Sequence, residues 1–223
     1  LIGRQTALEL CCLTASTARY HLLSNEEATT VGIDVLPEHV IRDLVAAQLP
    51  ADRREQCMRR FTYVQCAVIT LDMRKLSAIT QAHLGVPAWR VDHGHAGGPC
   101  QTTSIASTQT PKWKGFVPHR WPDGTARSQQ AKRDDALLER IVHLYLELRH
   151  LERDMLLTIE QPENDVFPAL APMRRLQDAG WVLLRGSHCR AASSHIDRTM
   201  QVQPVVPRKH SMYFGSGFDG PPP

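Results

Sequence analysis

The chain is predicted to be an α/β domain built on a doubly wound, largely parallel sheet. Three observations predict it. Short apolar, β-branched runs alternate with amphipathic helical stretches along most of the sequence. Acids close several of those runs, at Asp34, Asp72 and Glu160. A tight Gly-Gly-Pro turn follows the fourth run, where such sheets place their ligands, at the carboxyl ends of strands.

Each element can be justified in turn. Residues 7–12, Ala-Leu-Glu-Leu-Cys-Cys, suit a first strand, and Thr14 to Leu23 a turn and helix. Thr29-Thr30-Val31-Gly32-Ile33-Asp34 is β-branched and reads as a second strand ending in an acid. A helix is expected from His39 to Gln48, with Val40, Leu44 and Val45 on its apolar face. Phe61 to Leu71 contains a third strand that ends near Asp72, and Ala88 to Ala96 leads a fourth into the Pro-Cys turn. Residues 102–128 are rich in Thr, Ser, Pro and Gly and read as a long loop. Asp134 to Arg153 is the clearest helix, with Leu137, Leu138, Ile141, Leu144, Tyr145 and Leu148 at helical spacing. Leu156 to Glu160 is a fifth strand. Phe167 to Gly180 is a helix interrupted by Pro168 and Pro172. Trp181 to Gly186 and Ser211 to Gly215 supply the last two strands, and the Pro-rich tail, 216–223, is expected to be disordered.

Composition sets outer bounds. A chain of 223 residues accommodates one domain with a sizeable core. A formal charge of +3 is too small to demonstrate a nucleic-acid partner. No apolar run is long enough for a membrane helix. The beginning, Leu1-Ile2-Gly3-Arg4, reads as the start of a cut fragment. Six cysteines without a Cys-x-x-Cys pair point to reduced thiols and an intracellular protein, in a nucleus or a cytoplasm.

Two motifs sixty residues apart carry the chemistry. The first is Gly97-Gly98-Pro99-Cys100-Gln101, entered through Asp92-His93-Gly94-His95; the second is Ile159-Glu160-Gln161-Pro162. A cysteine behind a proline turn can serve as a positioned nucleophile, and a glutamate at a strand end can serve as a proton donor. Together they point to covalent attack on an electron-poor ring with acid assistance. A helix starting near Thr102 or Thr103 would lower the Cys100 pKa. The alternatives are specific. Cys100 could be inert packing. Zinc held by His93, His95 and Cys100 lacks a fourth ligand, and a zinc deaminase needs a second cysteine where Thr103 stands. Asp34 and Asp72 could be helix caps or turn formers, and Glu160 a turn cap. An unrelated α/β domain, such as a hydrolase, finds no Gly-x-Ser-x-Gly elbow and no phosphate loop in the sequence.

The stretch Thr108 to Arg133 interleaves Lys112, Trp113, Lys114, Phe116, Arg120, Trp121, Arg127, Lys132 and Arg133. Basic and aromatic side chains in alternation bind phosphates and stack on bases. The competing reading is a solvated loop whose aromatics pack locally.

In this order the motifs resemble the DNA cytosine-5 methyltransferases, over nearly the whole chain. Glu9-Leu10-Cys11-Cys12-Leu13-Thr14-Ala15 resembles the first motif, and Ile33-Asp34 and Leu71-Asp72 the second and third. Gly98-Pro99-Cys100-Gln101-Thr102-Thr103-Ser104 is similar to Pro-Pro-Cys-Gln-x-Phe-Ser, and Ile159-Glu160-Gln161-Pro162 to a Glu-Asn motif. Val206-Pro207-Arg208-Lys209-His210-Ser211-Met212 resembles Val-Pro-Gln-x-Arg-x-Arg. The resemblance implies a Rossmann-like, three-layer S-adenosylmethionine-dependent methyltransferase fold over residues 1–215. It implies a cofactor site of Leu10, Cys11, Thr14, Ala15 and Pro99, with Asp34 on the ribose and Asp72 on the adenine. It implies DNA as partner, a cytosine flipped from the duplex, Cys100 adding to ring carbon 6, Glu160 bonding the ring nitrogen and amine, and His210 completing the catalytic set.

The departures are as definite. Leu13 and Ala15 replace glycines, Thr103 a phenylalanine, Gln161 an asparagine and Met212 an arginine. Only eight residues follow Gly215, so target recognition is expected from another part of a longer protein, as in short relatives of mobile elements and phages. These losses also admit a catalytically decayed copy that binds nucleic acid or a partner.

Overall fold

The computed structural model describes residues 5–11, 16–99, 102–103, 118–152, 155–162, 166–187 and 210–216. Seven strands form one sheet: β1 (Thr6–Leu10), β2 (Thr29–Asp34), β3 (Phe61–Gln65), β4 (His93–Gly97), β5 (Leu156–Pro162), β6 (Val182–Ser187) and β7 (His210–Ser216). Their spatial order is β3-β2-β1-β4-β5-β7-β6. The first five are parallel, and β7 runs antiparallel between β5 and β6. Strand order reverses between β1 and β4, which makes the carboxyl ends of these two strands the switch-point crevice of a Rossmann-like sheet.

Helices α1 (Ser16–Ser24), α2 (Glu38–Gln48), α3 (Arg54–Arg59), α4 (Met73–Leu84), α5 (Gln129–Leu151) and α6 (Ala171–Asp178) complete the described elements with three 3-10 turns. Strand alternation divides the core in two. Leu8, Leu10, Val31, Ile33, Ala96, Leu157 and Ile159 pack beneath α4, α5 and α6. On the opposite face Phe61 and Tyr63 pack beneath Ala18 and Leu22 of α1, Ile41 and Val45 of α2 and Cys57 of α3. Helices on both faces make the predicted three-layer, doubly wound architecture. Each fully buried leucine or isoleucine contributes about 2 kcal/mol, so the apolar face carries most of the stability.

Local sequence explains the element ends. Ser128 caps α5 by accepting from Ala131 N–H at 3.0 Å, so that helix begins five residues before the expected Asp134. Gly85, at φ 78°, closes α4 in the left-handed region. In α2 the buried pair is Ile41 and Val45, while Leu44 is exposed; the apolar stripe is rotated one position from Val40 and Leu44. β3 is shorter than expected, because Val68–Thr70 form a 3-10 turn before Asp72. Within 102–128, Arg120 and Ala126 pair as a short bridge. No helix of the described residues is long and apolar enough to cross a membrane.

Candidate active site

The register of β4 and β5 builds the site. Gly97 pairs with Glu160, and Gly98 N–H donates to the Glu160 carbonyl at 3.2 Å. The two motifs, sixty residues apart in sequence, therefore meet at adjacent strand ends. Pro99, which directly precedes Cys100, leaves β4 beside the Glu160 backbone. Cys100, Thr14 and Ala15 lie outside the described residues, as do Lys112, Lys114, the expected helix after Thr103 and residues 217–223; Ser216, expected in the disordered tail, instead ends β7. His210 opens β7, where its backbone pairs with Ser187; its side chain lies outside the description.

The other end of the crevice is acidic. Asp34 closes β2 and is largely buried, with Oδ1 accepting from Val35 N–H at 2.6 Å and Leu36 N–H at 3.3 Å. That leaves Oδ2 as an acceptor. Glu9, on β1, is 3% exposed and accepts from Ala18 N–H of α1 at 3.0 Å. Burial pushes its carboxyl up to about 8; backbone hydrogen bonds at Ala18 and Thr17 oppose the rise, and the charges of Asp34 and Glu160 add to it. Carboxyls from β2 and β5 thus act on the Glu9 carboxyl of β1 at the crevice.

Cys11 follows β1 with φ 55°, the one non-glycine residue in the left-handed region among those described. Its carbonyl lies 3.0 Å from where a Cβ on Gly97 would stand, so the ends of β1 and β4 approach closely. Burial, with the Asp34 charge, pushes its thiol up to about 12 and keeps it protonated. Leu10 points into the opposite core, so its backbone alone can face the crevice. Asp72 is exposed and does not sit at a strand end. It caps α4, accepting from Lys75 N–H at 2.7 Å, which is the capping alternative.

Behind the crevice lies a buried polar row. His93 and His95 of β4 share a face with Thr158 of β5. His95 Nδ1 lies 2.8 Å from Thr158 Oγ1, His93 Nε2 lies 3.4 Å from it, and His93 Nδ1 contacts His21 Nε2 of α1. Burial lowers His93 to about 3 and His95 to about 4, and also lowers His21. All three are neutral at pH 7. Among the described residues no His, Cys, Asp and Glu side chains are grouped to hold a metal ion.

The expectation that Arg120 contacts phosphate needs correction. Its side chain is buried, donating to Asp135 Oδ1 at 2.5 Å, to the Gly124 carbonyl at 3.0 Å and to Thr102 Oγ1 at 3.3 Å. Thr102 in turn donates to Asp134 Oδ2 at 2.6 Å. Arg120 pins the chain just after Cys100 instead of facing solvent. Trp121 is exposed and carries the Arg127 guanidinium 4.4 Å from its ring centre.

Sequence reading does not single out Thr158, and it reaches Glu9 only as part of the first motif and His93 and His95 only as candidate zinc ligands. Signals for both are nonetheless present: a lone acid inside an apolar strand, and a His-Gly-His alternation that puts both imidazoles on one face.

The fold and crevice define a Rossmann-like, doubly wound α/β protein. No family model matches the chain. No curated protein matches it either. Solved structures with a similar fold include an antibiotic-related methyltransferase, with TM-score 0.49 and 8% identity, covering 96% of this chain and 90% of that one. Human methyltransferase 10 domain containing protein has TM-score 0.49 and 9% identity, covering 97% and 73%. The 16S rRNA (adenine(1408)-N(1))-methyltransferase of Catenulisporales acidiphilia, solved with its cosubstrate SAM, has TM-score 0.46 and 10% identity, covering 96% and 84%. A shared fold does not fix a shared reaction.

Proposed function

We propose that this chain is an S-adenosylmethionine-dependent methyltransferase acting on carbon 5 of cytosine in DNA. The observation that carries the reading is the β4–β5 register, which sets the turn leading to Cys100 beside Glu160.

The crevice suits the cofactor's charge and hydroxyls. Glu9, Asp34 and Glu160 form an acidic environment that a sulfonium and an ammonium would relieve. Asp34 Oδ2 is available to a ribose diol. Asp72, bound to its own helix by one oxygen, would meet the adenine with the other. Bound there, S-adenosylmethionine supplies the methyl group.

The chain's own groups do the rest. The Cys100 thiolate forms a bond to ring carbon 6 as the electron pair moves toward the ring nitrogen, which takes a proton from Glu160. Carbon 5 becomes nucleophilic and accepts the methyl group. A base then removes the carbon 5 proton, the carbon–sulfur bond breaks, and the ring-nitrogen proton returns to Glu160.

Trapping with DNA containing 5-fluorocytosine, in the presence of S-adenosylmethionine, tests this. Fluorine at carbon 5 blocks the last step, so wild type is expected to remain covalently attached and Cys100→Ala to give no adduct. An adduct that survives Cys100→Ala, or none from folded wild type on varied DNA, overturns the assignment.

A further inference from the structure

Two of the departures from the motif pattern, Thr103 and Gln161, meet Gly98 in the structure. Gln161 is fully buried, and its side chain lies flat on Gly98. A Cβ at position 98 would stand 2.4 Å from Gln161 Nε2 and 3.3 Å from Cδ, closer than packed atoms tolerate. Gln161 Oε1 accepts from Thr103 Oγ1 at 3.4 Å, and that hydroxyl also reaches the Pro99 carbonyl at 3.4 Å. Gly98 N–H closes the circuit on the Glu160 carbonyl.

We infer that Gly98, Thr103 and Gln161 are a co-adapted clasp that holds Pro99 and Thr103, the residues on either side of the Cys100–Gln101 step, against the Glu160 strand end and so positions Cys100 for reaction. The inference rests on Cys100 and Glu160 being nucleophile and acid, and it makes Thr103 and Gln161 compensating changes that Gly98 accommodates. Each residue type needs the others. Glutamine is one methylene longer than asparagine, and only a residue without Cβ leaves that space. A phenylalanine at 103 would offer Gln161 Oε1 no donor; threonine does. The contacts grip both sides of the two-residue step Cys100–Gln101, through Pro99 before it and Thr103 after it. Gln161 Nε2 has no partner among the described residues, so the fit to Gly98 is by shape.

A double-mutant cycle on the full chain tests it, with Gly98→Ala, Gln161→Asn and both together. Three quantities are read: melting temperature, the rate of Cys100 alkylation by iodoacetamide followed by mass spectrometry of its peptide, and the 5-fluorocytosine trapping rate. Gly98→Ala is expected to lower the melting temperature by roughly 5 °C. It is also expected to change Cys100 alkylation severalfold and to slow trapping about tenfold or more. Adding Gln161→Asn should restore much of each loss; if Gly98→Ala does not fold, recovery of folding in the double variant is the same result. Thr103→Val should slow trapping with little change in cofactor affinity. Additive losses in the cycle overturn the clasp. Coupled melting temperatures with unchanged Cys100 alkylation and trapping would leave it a packing device and overturn the positioning role. A wild type that traps nothing defeats the proposed reaction, while the melting and alkylation arms still decide the clasp.

Discussion

Glu9 and His95 stand opposite one another in register on β1 and β4, both buried, and burial drives their titrations apart: Glu9 up to about 8, His95 down to about 4. An acid and a base side by side in the sheet are therefore both uncharged at pH 7. Neither buries a formal charge, which is how the row avoids the large cost of an unpaired buried ion.

This pair predicts a stability maximum near pH 6.5. His21, His93 and His95 have depressed folded values, so their contribution is present above the unfolded value near 6.5 and is lost as pH falls toward 4 and 3. Glu9 has a raised folded value. Its contribution is present below about 4.5 and is lost as pH rises through 8. From 4.5 to 6.5 the histidines outnumber Glu9, so stability climbs with pH; from 6.5 to 8 Glu9 acts alone and stability falls. The alkaline limb should slope at roughly 1.4 kcal/mol per pH unit, an upper bound for one proton. Urea unfolding across pH 5–8.5 checks it, and Glu9→Gln should flatten the alkaline limb alone. A stability that keeps rising to pH 8 would contradict the assignment.

Cofactor binding should release a proton. If a sulfonium and an ammonium enter beside Glu9, its carboxyl ionises in the complex, and affinity rises as pH approaches 8 and levels above it. The gain should be about fivefold between pH 7 and 8. Titration calorimetry in two buffers of different ionisation enthalpy reads the released proton directly. Glu9→Gln should bind with no such pH dependence.

Arg120 separates a structural cation from binding ones. Arg120→Ala takes from Asp135 its ion-pair partner and from the Thr102 hydroxyl one of its two hydrogen bonds, and removes a buried guanidinium, at a cost of about 2 kcal/mol. The salt dependence of DNA binding should keep its slope in that variant. Replacing Lys112 and Lys114 should lower the slope by about 0.9 for each phosphate left without its lysine. A slope that falls only with Arg120 would reverse this division.

What can be read from sequence follows from the range of the interactions. The alternation of β-branched runs and amphipathic helices is local, so β2, β5 and the long α5 are legible to within a few residues. The insertion of β7 between β5 and β6 is a tertiary choice with no local signal. Asp72 resembles a strand-end acid because Val68–Thr70 is apolar enough to extend β3; the 3-10 turn there makes it a helix cap. Arg120 sits among surface-like residues, and only the fold supplies Asp135 and Thr102. The Gly98–Gln161 contact depends on the β4–β5 register, so in sequence each substitution alone reads as a loss.

Cys11 supplies the last prediction. The first motif lacks glycine, yet the chain at Cys11 takes φ 55°, the conformation glycine adopts without cost. A single non-glycine residue held there costs about 1–2 kcal/mol, and a β-branched one more. Cys11→Val should therefore lower stability by about 1–2 kcal/mol beyond Cys11→Ala, which removes the thiol at the same backbone cost. Cys11→Gly should be at least as stable as Cys11→Ala despite its greater freedom when unfolded. Thermal melts of the three variants give the ranking. If Val and Ala prove equal, the turn relaxes to negative φ, and the close approach of the Cys11 carbonyl to Gly97 is not what shapes the crevice. If the ranking holds, the surroundings of Cys11 hold it at positive φ and keep its carbonyl against Gly97 at the crevice.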